Sequence, residues 1–136
     1  MDKVGASKRS EIMRRVRSTD TRPELTVRRL IHAMGYRFRL HRRDLPGVPD
    51  IVLPRLRAVA FIHGCFWHGH ACRAGRNRPA SNVAYWERKL NRNRERDVRA
   101  RLALRRLGWR VLTIWECELR DRAKLENRLR RFLSRD

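Results

Sequence analysis

The chain reads as an α/β domain, a mixed β-sheet with helices on both faces. Three observations predict this. Apolar residues recur at helical spacing in separate stretches. Between them lie short runs with strand-like alternation or continuous apolar character. The order of the stretches is α, then β-β-β, then α-β-α, which covers both faces of a sheet.

The elements follow in order. Residues 8–18 read as a short basic helix with Met13 and Val16 inward. Thr21, with Glu24 three residues later, has the form of a capping box, and Pro23 is tolerated in a first turn. Val27, Leu30, Ile31 and Met34 continue that helix until Gly35 stops it. Tyr36 to Leu40 alternates and predicts a strand. Pro46-Gly47 marks a turn, and a second strand is expected around Asp50–Leu53. Ala58 to Ile62 is apolar on both faces, as in a central buried strand. Residues 63–81 read as a loop rich in His, Gly and Arg. A long helix is expected over about 82–107, with Trp86, Leu90, Val98 and Leu102 on one face and Gly108 ending it. Trp109–Trp115 predicts a further strand, and residues 121–134 a last helix presenting Leu125, Leu129, Phe132 and Leu133. No repeat or Pro/Gly/Ser linker divides the chain, so residues 1–136 are expected to form one domain, with a basic N-terminal arm over about 1–19.

Charge narrows the function. There are 35 Lys and Arg against 14 Asp and Glu, a net charge of +21. Such a field gathers polyanions, with nucleic acid the first expectation and acidic lipid the second. A general Arg-rich bias would raise Glu as well, and here acid lags. No stretch approaches the roughly 20 apolar residues of a membrane span. The N-terminus lacks the apolar core of a signal peptide, so a cytoplasmic, nucleoid-associated protein is expected.

The stretch FIHGCFWHGHAC, residues 61–72, holds the densest chemistry. Cys65, His70 and Cys72 with the distant Cys117 supply three thiolates and an imidazole, the donor set of a structural Zn2+ site. The alternative is buried Cys and a loop His. Zinc would brace a Gly-flanked loop and display Phe66 and Trp67 between its ligands. Such a pair suits a wedge between base steps, or else packs on the metal site. In a chain so poor in acid, Asp50 at the head of an apolar strand is a candidate Mg2+ ligand, or a Pro-Asp turn cap. Asn93 and Asp97 share a helical face with Trp86 and Leu90. They could hold His63 or His68 in one tautomer, or Asp97 could pair with Arg94 or Arg101 at the surface.

Taken together, PG-x-PD, HGCFWH-x-H-x-C, N-x-x-x-D on a helix and GWRVL-x-x-WEC resemble the very short patch repair (Vsr) DNA mismatch endonucleases, over about residues 7–134. The resemblance implies a restriction-endonuclease-like fold and Mg2+-dependent nicking 5′ to the mispaired T of T:G mismatches left by deaminated 5-methylcytosine. It implies double-stranded DNA as partner, a monomer, and mismatch-repair proteins as candidate partners. Asp50 matches a Mg2+ carboxylate, joined by the backbone of Ile62, where some members have Thr. His68 matches a general base, His63 and Asp97 a coupled pair, and Glu24 an acidic residue near the site. Cys65, His70, Cys72 and Cys117 match the zinc ligands. Phe66, Trp67 and Trp86 match aromatics inserted beside the mismatch, with Asn93 supporting the site. Gly69 and Ala71 depart from a denser His run, off the ligand positions. The alternatives are a restriction-type nuclease of other specificity and a non-catalytic zinc module that binds nucleic acid.

Overall fold

A computed structural model describes residues 21–66, 68, 70–76 and 80–134. The basic helix expected at 8–18, the N-terminal arm and Trp67 lie outside the described residues. Among the described residues, four strands form one mixed sheet in the order β1 (Arg39–Leu40), β2 (Ile51–Leu53), β3 (Ala58–His63), β4 (Arg110–Trp115). The pairs β1/β2 and β2/β3 are antiparallel, and β3/β4 is parallel, from Ala58 opposite Arg110 to His63 opposite Trp115. A parallel neighbour requires a crossover. Here it runs through the helix α2 (Val83–Arg106).

Strand parity sorts the core into two layers. Ile51, Leu53, Ala58, Ala60, Leu112 and Ile114 pack with Val27 and Ile31 of α1 (Arg22–Ala33) and with Leu125, Leu129 and Leu133 of α3 (Arg122–Leu133). The alternate residues Val52, Val59 and Phe61 pack with Leu104 of α2, Leu45 and Trp109. The predicted α/β class, with helices on both faces, is therefore what the chain adopts.

Helix ends follow local chemistry. Thr21 Oγ1 accepts from the Glu24 N–H at 3.4 Å, while the Glu24 carboxylate is engaged elsewhere, with Arg28 and His41. At the end of α2, Gly108 takes φ +89°. Its N–H donates to the Arg105 carbonyl and the Trp109 N–H to that of Leu104, a Schellman stop.

Three expectations need correction. The strand over Tyr36–Leu40 shrinks to Arg39–Leu40, because Tyr36 and Phe38 turn onto the α1/α3 core instead. The loop after β3 contains a helical turn, Arg73–Arg76, and a 3-10 helix follows β4 at Glu116–Arg120. The inner face of α2 is only partly the one expected: Leu90 is fully buried as expected, but Val98 and Leu102 are 41% and 47% exposed, and Leu104 is buried in their place. At roughly 100° per residue, Trp86, Leu90, Asn93, Asp97, Ala100 and Leu104 fall on one stripe, while Val98 and Leu102 lie about 120° and 160° round from its centre, toward the opposite face. The stripe is partly polar, which turns two polar side chains toward the sheet.

Candidate active site and metal clusters

A pocket of about 530 Å³ opens where the ends of β2 and β3 meet the first turn of α1 and the middle of α2. Two clusters border it, and all their members except His41 line its wall. In the first, Asp50 precedes β2, Glu24 sits in the first turn of α1, and His41 follows β1. Their ligand atoms all lie within 4.8 Å of one another. His41 Nε2 is 3.1 Å from Glu24 Oε2 and 3.9 Å from Asp50 Oδ1. The Ile62 N–H donates to Asp50 Oδ2 at 2.7 Å, while the Ile62 side chain packs on the α1/α3 core. Burial pushes the Asp50 carboxyl up to about 6; the Ile62 bond and the His41 and His68 charges resist this, and the Glu24 charge adds to it. A mostly buried carboxylate beside a second one suits a divalent cation in donor type and in charge.

The second cluster is His63, His68 and Asp97. His63 ends β3, and Asp97 reaches across from α2. His68 Nδ1 is 2.6 Å from Asp97 Oδ2, and His63 Nδ1 is 3.9 Å from the same oxygen. The short partner of Asp97 is thus His68, rather than the His63 of the expected pair or the arginines Arg94 and Arg101. The His63 and His68 rings stack 3.7 Å apart at 1°. Burial first, then the His68 charge, lowers the His63 pKa to about 3, against the pull of Asp97. His63 is therefore neutral at ordinary pH, and its buried Nδ1 has no hydrogen-bond partner among the described residues. Asn93 lines the same pocket and accepts a bond from Arg96 at 2.9 Å.

The third cluster adjoins the second through Trp115, whose ring meets His63, His68 and His70. Cys65, His70, Cys72 and Cys117 bring their donor atoms within 4.8 Å of one another. The Cys117 N–H donates to Cys65 Sγ at 3.4 Å, joining the loop after β3 to the end of β4. His70 also stacks on Trp115 at 4.2 Å. The loop can close this tightly because Gly75 has no side chain: a Cβ there would meet the His70 carbonyl oxygen at 1.9 Å. Burial raises the Cys65 thiol, whereas the Gly75 N–H and His70 lower that of Cys72. Three sulfurs and one imidazole in contact are the donors of a tetrahedral soft-metal site. Phe66, on the same loop, meets Trp86 edge to face at 5.6 Å, and Lys89 Nζ lies 5.9 Å above the Trp86 ring.

Sequence reasoning missed His41. Its place follows from the hairpin's register, which the local pattern does not give. Pairing Leu40 with Ile51 places His41 opposite Asp50, and the His41 N–H donates to the Asp50 carbonyl at 3.3 Å.

The chain is also similar to known DNA endonucleases. The profile of the family described as DNA mismatch endonuclease Vsr matches residues 1–74. The chain is 54% identical to a type II nicking enzyme of Xanthomonas oryzae, over 97% of this chain and 96% of that protein. It is 42% identical to a type II nicking enzyme of Neisseria meningitidis, over 93% and 90%. It is 44% identical to the DNA mismatch endonuclease Vsr of Escherichia coli, over 86% and 74%.

Proposed function

The chain belongs to the Vsr family of DNA mismatch endonucleases, and on that premise we propose that it nicks one DNA strand 5′ to the mispaired T of a T:G mismatch, with Mg2+. The supporting observation is the pair of clusters that border one pocket, carboxylates on one side and a carboxylate-held His on the other. A non-catalytic zinc module would have no use for either.

Asp50 and Glu24, with the Ile62 backbone, would hold the cation. When bound, that ion supplies Lewis-acid polarisation of the scissile phosphate and offsets charge on the leaving oxygen. The remaining chemistry belongs to side chains. The 2.6 Å contact with Asp97 holds the His68 proton on Nδ1 and leaves Nε2 free to take a proton from the attacking water. Asp97 then stabilises the imidazolium. His63, neutral and stacked on His68, adds no positive charge against that proton transfer. Asn93 supports the α2 side of the pocket.

Recognition is assigned to aromatics. Many Arg residues contact phosphates without reading sequence. Phe66 and Trp86, with Trp67 between the zinc ligands, would pry at the mismatched step, which stacks less well than a matched one. Zn2+ on Cys65, His70, Cys72 and Cys117 would hold that loop rigid. The sheet and its helices are then a restriction-endonuclease-like fold, acting as one domain over residues 1–136 and as a monomer, with the basic N-terminal arm on DNA.

A duplex panel tests the reading. Zinc-replete protein with Mg2+ should nick a T:G duplex and leave its T:A counterpart whole, and EDTA should stop the reaction. Equal cutting of both duplexes, or cutting in EDTA, contradicts it.

A further inference from the structure

We propose that His41 is a third side-chain ligand of the divalent cation at Asp50, and that it gives the site a binding preference for first-row transition ions such as Mn2+ over Mg2+. The inference rests on the reading that a cation binds at Asp50, and it deepens that reading.

Backbone geometry delivers the imidazole. The β1/β2 ladder ends with Leu40 opposite Ile51, so His41 lies opposite Asp50. There the chain turns into the left-handed region, with φ +47° at His41. Few residues with a Cβ adopt that conformation outside turns and functional sites. The turn ends the strand and brings the ring against two carboxylates from different elements.

The distances fit shared ligation. Around an octahedral ion at about 2.0–2.2 Å, adjacent ligand atoms stand about 2.8–3.1 Å apart and opposite ones about 4.0–4.4 Å, so a pair at 3.1 Å suits adjacent positions and one at 3.9 Å suits nearly opposite positions. Nε2 lies 3.1 Å from Glu24 Oε2 and 3.9 Å from Asp50 Oδ1. A hydrogen bond that only orients Glu24 would explain the first distance without involving the ion. The two accounts differ in metal selectivity. Mg2+ takes carboxylate oxygen and water and gains little from nitrogen, whereas first-row divalent ions accept imidazole. Mn2+ is the least nitrogen-seeking of that series, so a preference measured with Mn2+ is a strict test. Mn2+ also leaves a thiolate-held Zn2+ in place, since it favours oxygen donors.

The test needs no turnover. Zinc-replete full-length protein, without DNA, is titrated calorimetrically with Mn2+ and with Mg2+, as wild type and as His41→Gln, a change that keeps a hydrogen bond to Glu24 within reach. The expected result is a loss of Mn2+ affinity of at least the roughly 10-fold that even an outer hydrogen-bonding partner costs a metal site. Mg2+ affinity should change much less. Pulsed electron paramagnetic resonance of the wild-type Mn2+ complex should show coupling to a directly bonded imidazole nitrogen. That measurement stands even if the variant folds poorly. Equal loss for both ions, or no nitrogen coupling, overturns the assignment and leaves His41 as a partner of Glu24 only. If neither ion binds the wild type, this inference falls together with cation binding at Asp50, an outcome distinct from binding without selectivity.

Discussion

At Asp50 the interests of stability and chemistry diverge. Its folded pKa of about 6 lies above the ordinary 3.8, chiefly because it is buried. A folded state that holds the proton more tightly is favoured below the unfolded pKa, and that advantage is lost as pH rises through the folded pKa. Above pH 6 the ionised, metal-free side chain therefore costs on the order of 1–3 kcal/mol. His63 has the opposite sign: its pKa of about 3 is depressed, so its contribution is present above 6.5 and lost as pH falls toward 3. The wild-type profile mixes the two, and a difference between variants isolates one. In EDTA, Asp50→Asn should melt higher than wild type at pH 8, and the gain should shrink to nothing near pH 4. Equal melting at pH 8 would show that the carboxylate bears no such cost. The contact of His68 with Asp97 makes a second prediction. Asp97→Asn keeps the shape but can hold the wrong tautomer, so single-turnover nicking should fall by roughly 10²–10⁴ with DNA affinity nearly unchanged, the usual share of general-base catalysis.

Among the elements, α2 carries most of the design, and it was the hardest to read. Leu90 and Leu104 are buried on the stripe that also bears Asn93 and Asp97. Apolar spacing finds Leu90 but also takes in Val98 and Leu102, because steps of four residues drift about 40° each and the true inner stripe is interrupted by the polar residues that serve the pocket. Leu104→Ala should cost about 2–5 kcal/mol in chemical denaturation. Leu102→Ala should stay within about 0.5 kcal/mol, as exposed positions do. Similar losses at both positions would contradict the assigned face. Elsewhere local signals sufficed. Thr21 with Pro23 marked the start of α1, Gly35 and Gly108 marked helix ends, and the apolar run at 58–62 marked the buried strand. The strand at 36–40 misled because its aromatics alternate for packing on a helix layer and not for pairing. Local pattern made Glu24 legible as a cap, and only the resemblance pointed to the site, where its carboxylate meets His41 and it is 5% exposed. His41 was hidden because no local pattern says which residue of a hairpin will face which; that depends on register, set by the turn between the strands.

Over the whole molecule, the clusters tie distant chain segments to one another. Cys117 lies 52 residues beyond Cys65 and still shares its sulfur contacts. Zinc at this point would fasten the loop after β3 to the end of β4, where Trp115 meets the rings of His63 and His68. The spacing made this donor set legible, since it uses all three Cys of the chain. Elemental analysis should find one zinc per chain, and Cys117→Ser should lower both zinc content and melting temperature, because metal binding adds to holo stability. A fully folded protein free of zinc would contradict this. The net charge of +21 acts at the same scale. It holds DNA without choosing a site, so affinity and cleavage are separable.

That separability makes the decisive measurement possible. Single-turnover nicking and binding of one T:G duplex are followed in Mg2+ for wild type, Asp50→Asn and His68→Ala. Both variants should bind the duplex about as tightly as wild type, since each leaves the basic surface intact. Asp50→Asn should give no detectable nick, and His68→Ala should be slower by roughly 10²–10⁴. Wild-type cleavage by Asp50→Asn would contradict the account at its centre, whatever His68 does.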